Sequence, residues 1–489
     1  MAALLVLLAL LLPPVLSAAV ATLVRPYRPA VGWFGVAGAA VSCAAAVTLC
    51  GMVMAGGPVG PARGPFDALR ADALSALIAL CITLVTLLTT ALAPGLGVDA
   101  DRGRETRGLR IYMSAFAFTM LLAVTVQNVA LMWVAVEATT IFSALAIPLH
   151  RTKASVEASW KYLLVCSVGI ALAFTGTILA YFDFVSIAGD ARGSLNWSAL
   201  RAAAPGLHPA LLQLAFAFIL VGYGTKAGLA PMNTWLPDAH SEAPSPISAM
   251  MSGVLLAVAM YAIARWKAVI DAAVSPAFSN GLLIAFGLLS VAIGALSLVL
   301  QRHYKRMLAY SSVEHMGLVA IGLGLGPLGT FAAWLHVVNH ALAKSASFLL
   351  AGRILHRYGT TEIAGVTGLL RVMPWTGALF AAGVLALIGL PPFGMFVSEY
   401  LLVRATIAGG RIWLGASVLA LLLTAFMSLI GHLNAMLYGE PPELVASGER
   451  RSWPTTALLL AAAATVVLGV VLPGPFSRLL DHTVSALLP

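Results

Sequence analysis

The sequence predicts an all-α polytopic membrane protein with about fourteen transmembrane helices. Three observations carry this expectation. Hydrophobic residues make up 60% of the 489 positions and charged residues only 10%, where a soluble domain would carry about a quarter charged. The mean hydropathy is +0.95. The apolar residues are gathered into runs near the roughly 20 residues a helix needs to cross the hydrocarbon core, and short connections between the runs hold most of the Arg and Lys.

The first segment, 2–24, has no Lys or Arg; Leu4 to Leu12 followed by Ser17, Ala18 and Ala19 faintly resembles a signal peptide. The basic start of such a peptide is missing, so a retained helix is expected. Segments 31–55 and 72–94 hold Cys43, Cys50 and Cys81, and 160–183 holds Cys166. These thiols lie in apolar runs without metal-ligand spacing and read as small core residues. The fourth and fifth segments are 110–127 and 129–148, the latter with Glu137 at its middle. The seventh, 209–230, contains Lys226, and 245–265 and 278–300 follow. Glu314 and His315 come early in 307–325, and His336, His340 and Lys344 lie in 328–352. The series closes with 373–396, 411–437 and 455–475.

The longest connections, near 183–208 and 438–454, are too short for a domain, so one membrane domain is expected. The net charge of +9 sits in short loops and is no nucleic-acid footprint. No glycine-rich phosphate loop follows a strand, and no stretch reads as a soluble catalytic domain, so no catalytic centre is expected in the chain itself.

Loop charge orients the segments. With the N-terminus outside, inner loops hold about 17 Lys and Arg and outer loops about 9. The inner set includes Arg102, Arg104, Arg107, Arg110, Arg151, Lys153, Arg302, Lys305 and Arg306. Both termini are therefore expected on the outer face of the cell's inner (cytoplasmic) membrane.

Two segments read as broken helices. Gly228-Leu229-Ala230-Pro231 and Gly389-Leu390-Pro391-Pro392 both interrupt apolar runs. Proline removes a backbone donor and clashes with the preceding turn. The freed carbonyls are tolerable only where the backbone lines a cavity or packs in protein. Matched interruptions are a mark of inverted-repeat transporters. The expected division is 1–109 for the first three helices, 110–265 and 278–437 for two five-helix repeats, and 438–489 for the last helix. The plainer reading is that Gly and Pro are common in membrane helices.

Isolated charges in such a setting cost several kcal/mol each and are rarely placed without a task. Lys226, Glu137, Lys344 and Glu399 are stranded in this way. Glu137 reads either as a protonated acid bonded to a neighbouring helix or as the ion-pair partner of Lys226; moving the glutamate or its proton would then load and unload the lysine. His336, His340 and Lys344, spaced i, i+4, i+8, would line one helix face over about 12 Å. Imidazole both donates and accepts near neutral pH, so the stripe suits a proton wire. The same histidine spacing occurs in zinc metalloprotease helices, but Val337 stands where those have glutamate, and no metal is expected. Glu399 reads as the last group of a path or as a helix-end acid. Glu314 and His315 are further relay candidates. Asp238, His240 and Glu242, after the first break, would either feed protons or form a solvated loop.

These residues carry a resemblance. The stretches are Lys161 to Leu164, Lys226 to Met250 (KAGLAPMNTWLPDAHSEAPSPISAM), Lys305 to Gly317 (KRMLAYSSVEHMG), His336 to Lys344 and Gly389 to Glu399. Together they resemble the antiporter-like proton-translocating subunits of respiratory complex I, Mrp-type Na+/H+ antiporters and membrane-bound nickel–iron hydrogenases. The Ser311 to Gly317 stretch and the short C-terminus are most similar to the hydrogenase-4 component F branch. The resemblance implies a fourteen-helix fold with two inverted five-helix repeats. It implies that Glu137 and Lys226 form the first half-channel, with Lys344 as central relay and Glu399 as terminal group. It also implies partners: other antiporter-like membrane subunits and a peripheral redox arm holding nickel–iron and iron–sulfur centres or quinone, with no cofactor in this chain. One departure stands out. The family often has a lysine after Gly-Val-Leu-Leu in the eighth helix, and here Gly253 to Leu256 is followed by Ala257. The link between half-channels would then use water, His315 or His336, or conduction would be weakened.

The expected function is a proton-conducting subunit of a hydrogenase-4-like or formate-hydrogenlyase-like redox complex. The alternatives are a Na+/H+ antiporter subunit, a complex I-like dehydrogenase subunit, and a non-conducting scaffold or inorganic-carbon-uptake partner, the last suggested by Ala257.

Overall fold

The structure, a computed structural model, describes residues 2–60, 68–94, 96, 103–189, 195–449 and 453–488. Arg102, one of the inner-loop charges, lies outside the described residues. The chain begins with α1 (Ala2–Leu23), α2 (Pro29–Gly56), α3 (Ala73–Leu92), α4 (Gly103–Thr125), α5 (Val129–Ala146), α6 (Lys153–Ala188) and the short α7 (Trp197–Ala203). Then come α8 (Pro209–Ala227), α9 (Trp235–Glu242), α10 (Ser245–Met250) and α11 (Leu256–Ala273), the last two joined by one π-turn over Met251–Leu255. The second half holds α12 (Pro276–Val299), α13 (Tyr304–Leu323), α14 (Gly326–Tyr358), the one-turn α15 (Leu369–Val372), α16 (Pro374–Leu387), α17 (Gly394–Ala408), α18 (Ile412–Leu437), α19 (Trp453–Val470) and α20 (Gly474–Leu487).

Among the described residues, eleven helices are long and apolar enough to cross a membrane. Three further segments bring the number to the expected fourteen: α13 and α14, whose polar residues lower their hydropathy, and the pair α16–α17, too short singly. The most polar spans are thus among the most buried, and nearly every residue of α13 is inside the bundle. At the centre is α11, in which every residue from Leu256 to Ile270 is buried. A helix buried all round is apolar all round, and this one is so except at its far end.

Lipid tails are as apolar as leucine, so helix association in a membrane rests on close packing. Small residues make it possible. A Cβ on Gly222 of α8 would come within 2.6 Å of the Ala173 Cβ of α6, and one on Gly317 of α13 would come within 2.6 Å of the Gly287 carbonyl of α12.

The two breaks are one structure made twice. Gly228 (φ +73°) and Gly389 (φ +67°) are left-handed, which glycine adopts without penalty. Leu229 N–H reaches back to the Gly224 carbonyl and Leu390 N–H to that of Leu385; Met232 N–H bonds the Leu229 carbonyl and Phe393 N–H that of Leu390. This is the Schellman closure of a helix end. The Ala230–Pro231 and Pro391–Pro392 bonds are both cis. After each break the chain resumes as helix, α9 or α17. Ten residues after each glycine stands an acid, Asp238 or Glu399.

Several expectations need correcting. Residues 397–408 were expected in the connection after the twelfth segment, and they belong to α17, so Glu399 lies inside a helix. Asp238, His240 and Glu242 lie on α9 and not in a solvated loop. Lys305 and Arg110, counted as loop charges, are buried within α13 and α4. Lys305 donates to the Ser241 and Ala243 carbonyls at the end of α9. Arg110 donates to Thr90, Ala93 and Pro94 at the end of α3, and Arg107 to Ala21 and Thr22 at the end of α1. Helix C-termini carry free carbonyls and negative dipole ends, so these cations act as caps. Finally, α20 was not expected. It is amphipathic, burying Leu479, Leu480, Thr483 and Leu487, and it packs against α3 and α14. A search for long apolar runs does not detect such a helix.

A buried ion pair between helices ties the end of the bundle opposite Asp238. Asp72 caps α3, accepting from Ser75 N–H at 3.0 Å, and pairs with Arg265 of α11 through both guanidinium nitrogens. The guanidinium also lies over the rings of Trp197 (4.4 Å) and Tyr261 (4.8 Å). Breaking such a pair leaves a buried charge uncompensated. Asp72→Ala should cost about 3–5 kcal/mol, read as a shift in unfolding by denaturing detergent. Arg371→Ala, which breaks an exposed pair with Glu440, should change the same curve by less than about 1 kcal/mol. Equal effects would show that burial does not govern these pairs.

Candidate functional site

Lys226 is the second-last residue of α8, just before the break and not in mid-helix as the apolar run suggested. The C-terminal dipole of α8 favours a cation there. The side chain is fully buried. Its Nζ donates to Tyr162 Oη at 2.6 Å and to Thr140 Oγ1 at 2.8 Å. The ammonium also lies 4.8 Å from the centre of the Tyr162 ring.

The direct ion pair expected between Glu137 and Lys226 is not formed. Thr140 stands between them, one helical turn after Glu137, and its hydroxyl donates to Glu137 Oε2 at 3.2 Å. Ser167 of α6 donates to Oε1 of the same carboxylate at 2.8 Å. The order is therefore ammonium, hydroxyl, carboxylate, each donating to the next. Tyr162 continues the network to Ser143 Oγ at 2.7 Å, and Ser143 donates to the Thr139 carbonyl at 2.6 Å. Since the serine hydrogen is used on that carbonyl, Tyr162 donates to Ser143 and accepts from Lys226.

Lys344, on α14, anchors a second cluster. Its Nζ donates to the Leu308 carbonyl at 2.6 Å and to Ser311 Oγ, both on α13. Glu314 and His315 follow one turn later on α13 and are buried. The stripe of α14 then meets α13 side-on. His336 Nε2 lies 3.1 Å from His315 Nδ1, and His336 Nδ1 lies 2.9 Å from Ser398 Oγ of α17. His340 packs edge-on against the His315 ring, with centroids 5.3 Å apart. Glu399 follows Ser398, with its Oε1 buried and unbonded and its carboxylate tucked against Gly389, where a Cβ would collide with it. His315, His336 and Glu399 are the one group among the described residues whose ligand atoms come close enough for a metal ion, all within 4.8 Å of one another. The expected stripe thus divides: His336 turns to His315 and Ser398, and His340 stays beside them.

Between the clusters lies the π-turn that precedes Ala257, which is buried. Ser252 of this turn contacts Ser312 of α13, oxygen to oxygen at 2.8 Å. A π-turn inside a helix is frequent at functional sites. His240 is fully buried, stacked on Phe348 of α14 at 5.1 Å, with neither ring nitrogen bonded. It lies within electrostatic reach of both Lys344 and Lys305. Asp238 faces the rim of the bundle, held by Lys161 at 2.5 Å and Arg306 at 2.7 Å. Pro231, Pro391 and Pro392 sit at the two breaks. Glu242 closes α9, partly buried.

The hydroxyls that bind these groups or one another were not picked out from the sequence: Thr140, Ser143, Tyr162, Ser167, Ser252, Ser311, Ser312 and Ser398. Serine and threonine are ordinary in membrane helices, and nothing in their local pattern marks the functional ones. A usable signal did exist for the acids, the equal spacing of Asp238 and Glu399 from their glycines.

Residues 126–428 match the family model described as NADH:quinone oxidoreductase/Mrp antiporter, transmembrane. A hydrogenase-4 component F homolog from Methylacidiphilum infernorum (isolate V4) is 43% identical over 337 residues, covering 68% of this chain and 71% of that protein. NADH-quinone oxidoreductase subunit N from Desulforudis audaxviator (strain MP104C) is 32% identical over 362 residues, covering 71% of this chain and 70% of the relative. Among solved structures, a chain of the membrane-bound sulfane sulfur reductase, an archaeal respiratory membrane complex, superposes with a TM-score of 0.88 at 27% identity, covering 99% of this chain and 98% of the other. The chain belongs to the NADH:quinone oxidoreductase/Mrp antiporter membrane family.

If Thr140 and Tyr162 serve to solvate Lys226, each should matter only while the ammonium is present. A hydrogen bond to a charged group contributes about 1.5–3 kcal/mol. Thr140→Val and Tyr162→Phe should each destabilise the protein by about that much, read by unfolding in denaturing detergent. In a Lys226→Met background both should lose most of their effect. Undiminished effects there would mean that the hydroxyls act through their other partners, Glu137 for Thr140 and Ser143 for Tyr162, and not through the ammonium.

Proposed function

We propose that this member of the family conducts protons across the membrane as the antiporter-like subunit of a multisubunit redox complex of the hydrogenase-4 or formate-hydrogenlyase kind. The observation that carries this reading is the pair of polar clusters inside an otherwise apolar bundle: Glu137, Thr140 and Lys226 joined by hydrogen bonds, and, around α13, Lys344 bonded to Ser311, His336 bonded to His315 and Ser398, and Glu399 close by. Buried ionisable residues in a membrane protein mark ion or proton pathways by default. The similarity to a hydrogenase-4 component F homolog supports the choice of complex.

Residues 110–265 and 278–437 are read as two inverted repeats, supported by the matched breaks. The end of the bundle bearing Asp238, Lys161 and Arg306 is assigned to the cytoplasmic side, with both termini outside, on the strength of its basic residues. The redox centres, nickel–iron, iron–sulfur or quinone, are assigned to partner subunits, and other antiporter-like chains are the expected membrane neighbours.

The path has three stages. In the first, Glu137 and Lys226 exchange a proton through the Thr140 hydroxyl, which bonds both. A redox-driven shift of charge near Glu137 changes the field at Lys226 and so loads or unloads it. In the second, His240 and the Ser252–Ser312 contact carry the proton to Lys344, in place of a lysine at position 257. In the third, the proton passes by Glu314, His315 and His336 towards Glu399, with His340 alongside. Imidazole suits the last stage because it takes a proton on one nitrogen and releases one from the other.

The test uses the whole complex in proteoliposomes. Lys226→Ala should lower proton uptake coupled to electron transfer by at least about 100-fold, the usual size of a lost acid–base group, while assembly and electron transfer persist. His240→Ala should slow it by about 10- to 100-fold. Normal pumping in Lys226→Ala would overturn the assignment, and uptake that requires Na+ would move it to Na+/H+ antiport.

A further inference from the structure

We propose that His315, His336 and Glu399 form a binding site for a divalent transition-metal ion of the zinc class, and that a bound ion closes the histidine step of the path. The binding stands on geometry alone; the closure rests on the proton-path reading above.

The donor set is two imidazoles and one carboxylate, which is a set zinc favours, with a fourth position left for water. The three come from three different helices, α13, α14 and α17, and their ligand atoms lie within 4.8 Å of one another. A tetrahedral zinc ion with bonds of about 2.0–2.1 Å holds its ligand atoms about 3.3 Å apart. The His315 Nδ1 to His336 Nε2 separation of 3.1 Å is already close to that.

The hydrogen bonds also set the lone pairs. Ser398 has one hydroxyl hydrogen and donates it to the Met395 carbonyl at 2.8 Å. Its oxygen therefore accepts from His336 Nδ1–H at 2.9 Å. This leaves the lone pair of His336 on Nε2, facing His315. A ligating histidine whose other nitrogen is held by an oxygen acceptor is the usual arrangement around a metal. One of the three proposed ligands lacks a partner: Glu399 Oε1 is buried and unbonded. His315 Nε2, also buried and unbonded, is free to take a proton from Nδ1 of the same ring. Buried polar atoms without partners are rare and call for an explanation such as an ion.

Without an ion, His315 Nδ1–H donates to His336 Nε2. An ion entering between the rings takes the lone pair of His336 Nε2, one Glu399 oxygen and, as its proton leaves, His315 Nδ1. The proton it replaces moves to the free Nε2 of His315, so that ring stays neutral. The N–H that linked the two rings is then gone, and His336 Nε2 can no longer accept a proton. Lys344 and Glu314 lie within electrostatic reach of His315 and Glu399 respectively.

The probe is zinc chloride, titrated onto the intact complex. X-ray absorption at the zinc edge should show two imidazole nitrogens and a carboxylate oxygen at about 2.0–2.2 Å. Ser398→Ala keeps all three ligands and removes only the orienting acceptor; it should weaken zinc binding by about 10- to 100-fold. Glu399→Gln should weaken it further. A zinc shell without histidine, or affinity unchanged in both variants, would overturn the site. In proteoliposomes, zinc should stop proton uptake by the parent complex at the concentrations that fill the site. Zinc that binds through these ligands and leaves uptake unchanged would overturn the closure. Since binding is read without turnover, normal pumping by Lys226→Ala would sink the conduction reading and leave the metal site standing.

Discussion

Two ammonium groups held away from water set the terms for the rest of this structure. Each costs several kcal/mol to bury unless its hydrogens find oxygen. Lys226 and Lys344 meet the cost in different ways. Lys226 ends a helix and reaches two hydroxyls, with a carboxylate one hydroxyl further on. Lys344 is inside a long helix and reaches a backbone carbonyl and a serine of α13. Neither touches a carboxylate. A direct ion pair would hold its proton tightly on the lysine. A pair spaced by a hydroxyl leaves the charges coupled and the proton exchangeable, which is the condition a relay needs.

The breaks follow from the same constraint. Irregular backbone is tolerable in a membrane only where its polar groups are satisfied by protein or water. At Gly228 and Gly389 the freed N–H groups fold back onto the helix they leave. Each break then delivers an acid ten residues after its glycine, on the following helix, but into different surroundings. Asp238 meets two cations at the rim. Glu399 meets histidines and the bare backbone of Gly389. One local structure thus presents a solvated, neutralised acid at one end and a buried, unbonded one at the other, and that asymmetry is what a vectorial path requires.

The helices were legible because an apolar run of membrane length admits few other readings. The charged positions were legible because charge is scarce in such a chain, so Lys226, Glu137, Lys344 and Glu399 stood out. What escaped was whatever looks ordinary in a membrane helix. Thr140 and Ser398 are single hydroxyls among many, and their importance appears only when helices distant in sequence meet. The second half of the broken helix, α17, is too short to read as a span, and α20 has one polar face. Lys305 and Arg110 looked like loop charges because each lies within one or two turns of a helix start; their side chains run inward to cap neighbouring helices.

Ala257 bears most directly on how the two clusters communicate. A lysine there would set a third ammonium between Lys226 and Lys344, in a helix buried on every side. Like charges at close range disfavour one another, so three such groups could not all stay protonated together. Histidine avoids this. Neutral imidazole costs less to bury than an ammonium, and His240 is clamped flat against Phe348 with both nitrogens free. A lysine relay must swing its side chain to pass a proton on, whereas an imidazole accepts on one nitrogen and releases from the other with the ring in place. On the proposed path, the π-turn before Ala257 complements this by bringing Ser252 against Ser312. On that path they replace a mobile charge with a fixed neutral bridge, so alanine at 257 would change the kind of link between the clusters without by itself breaking it.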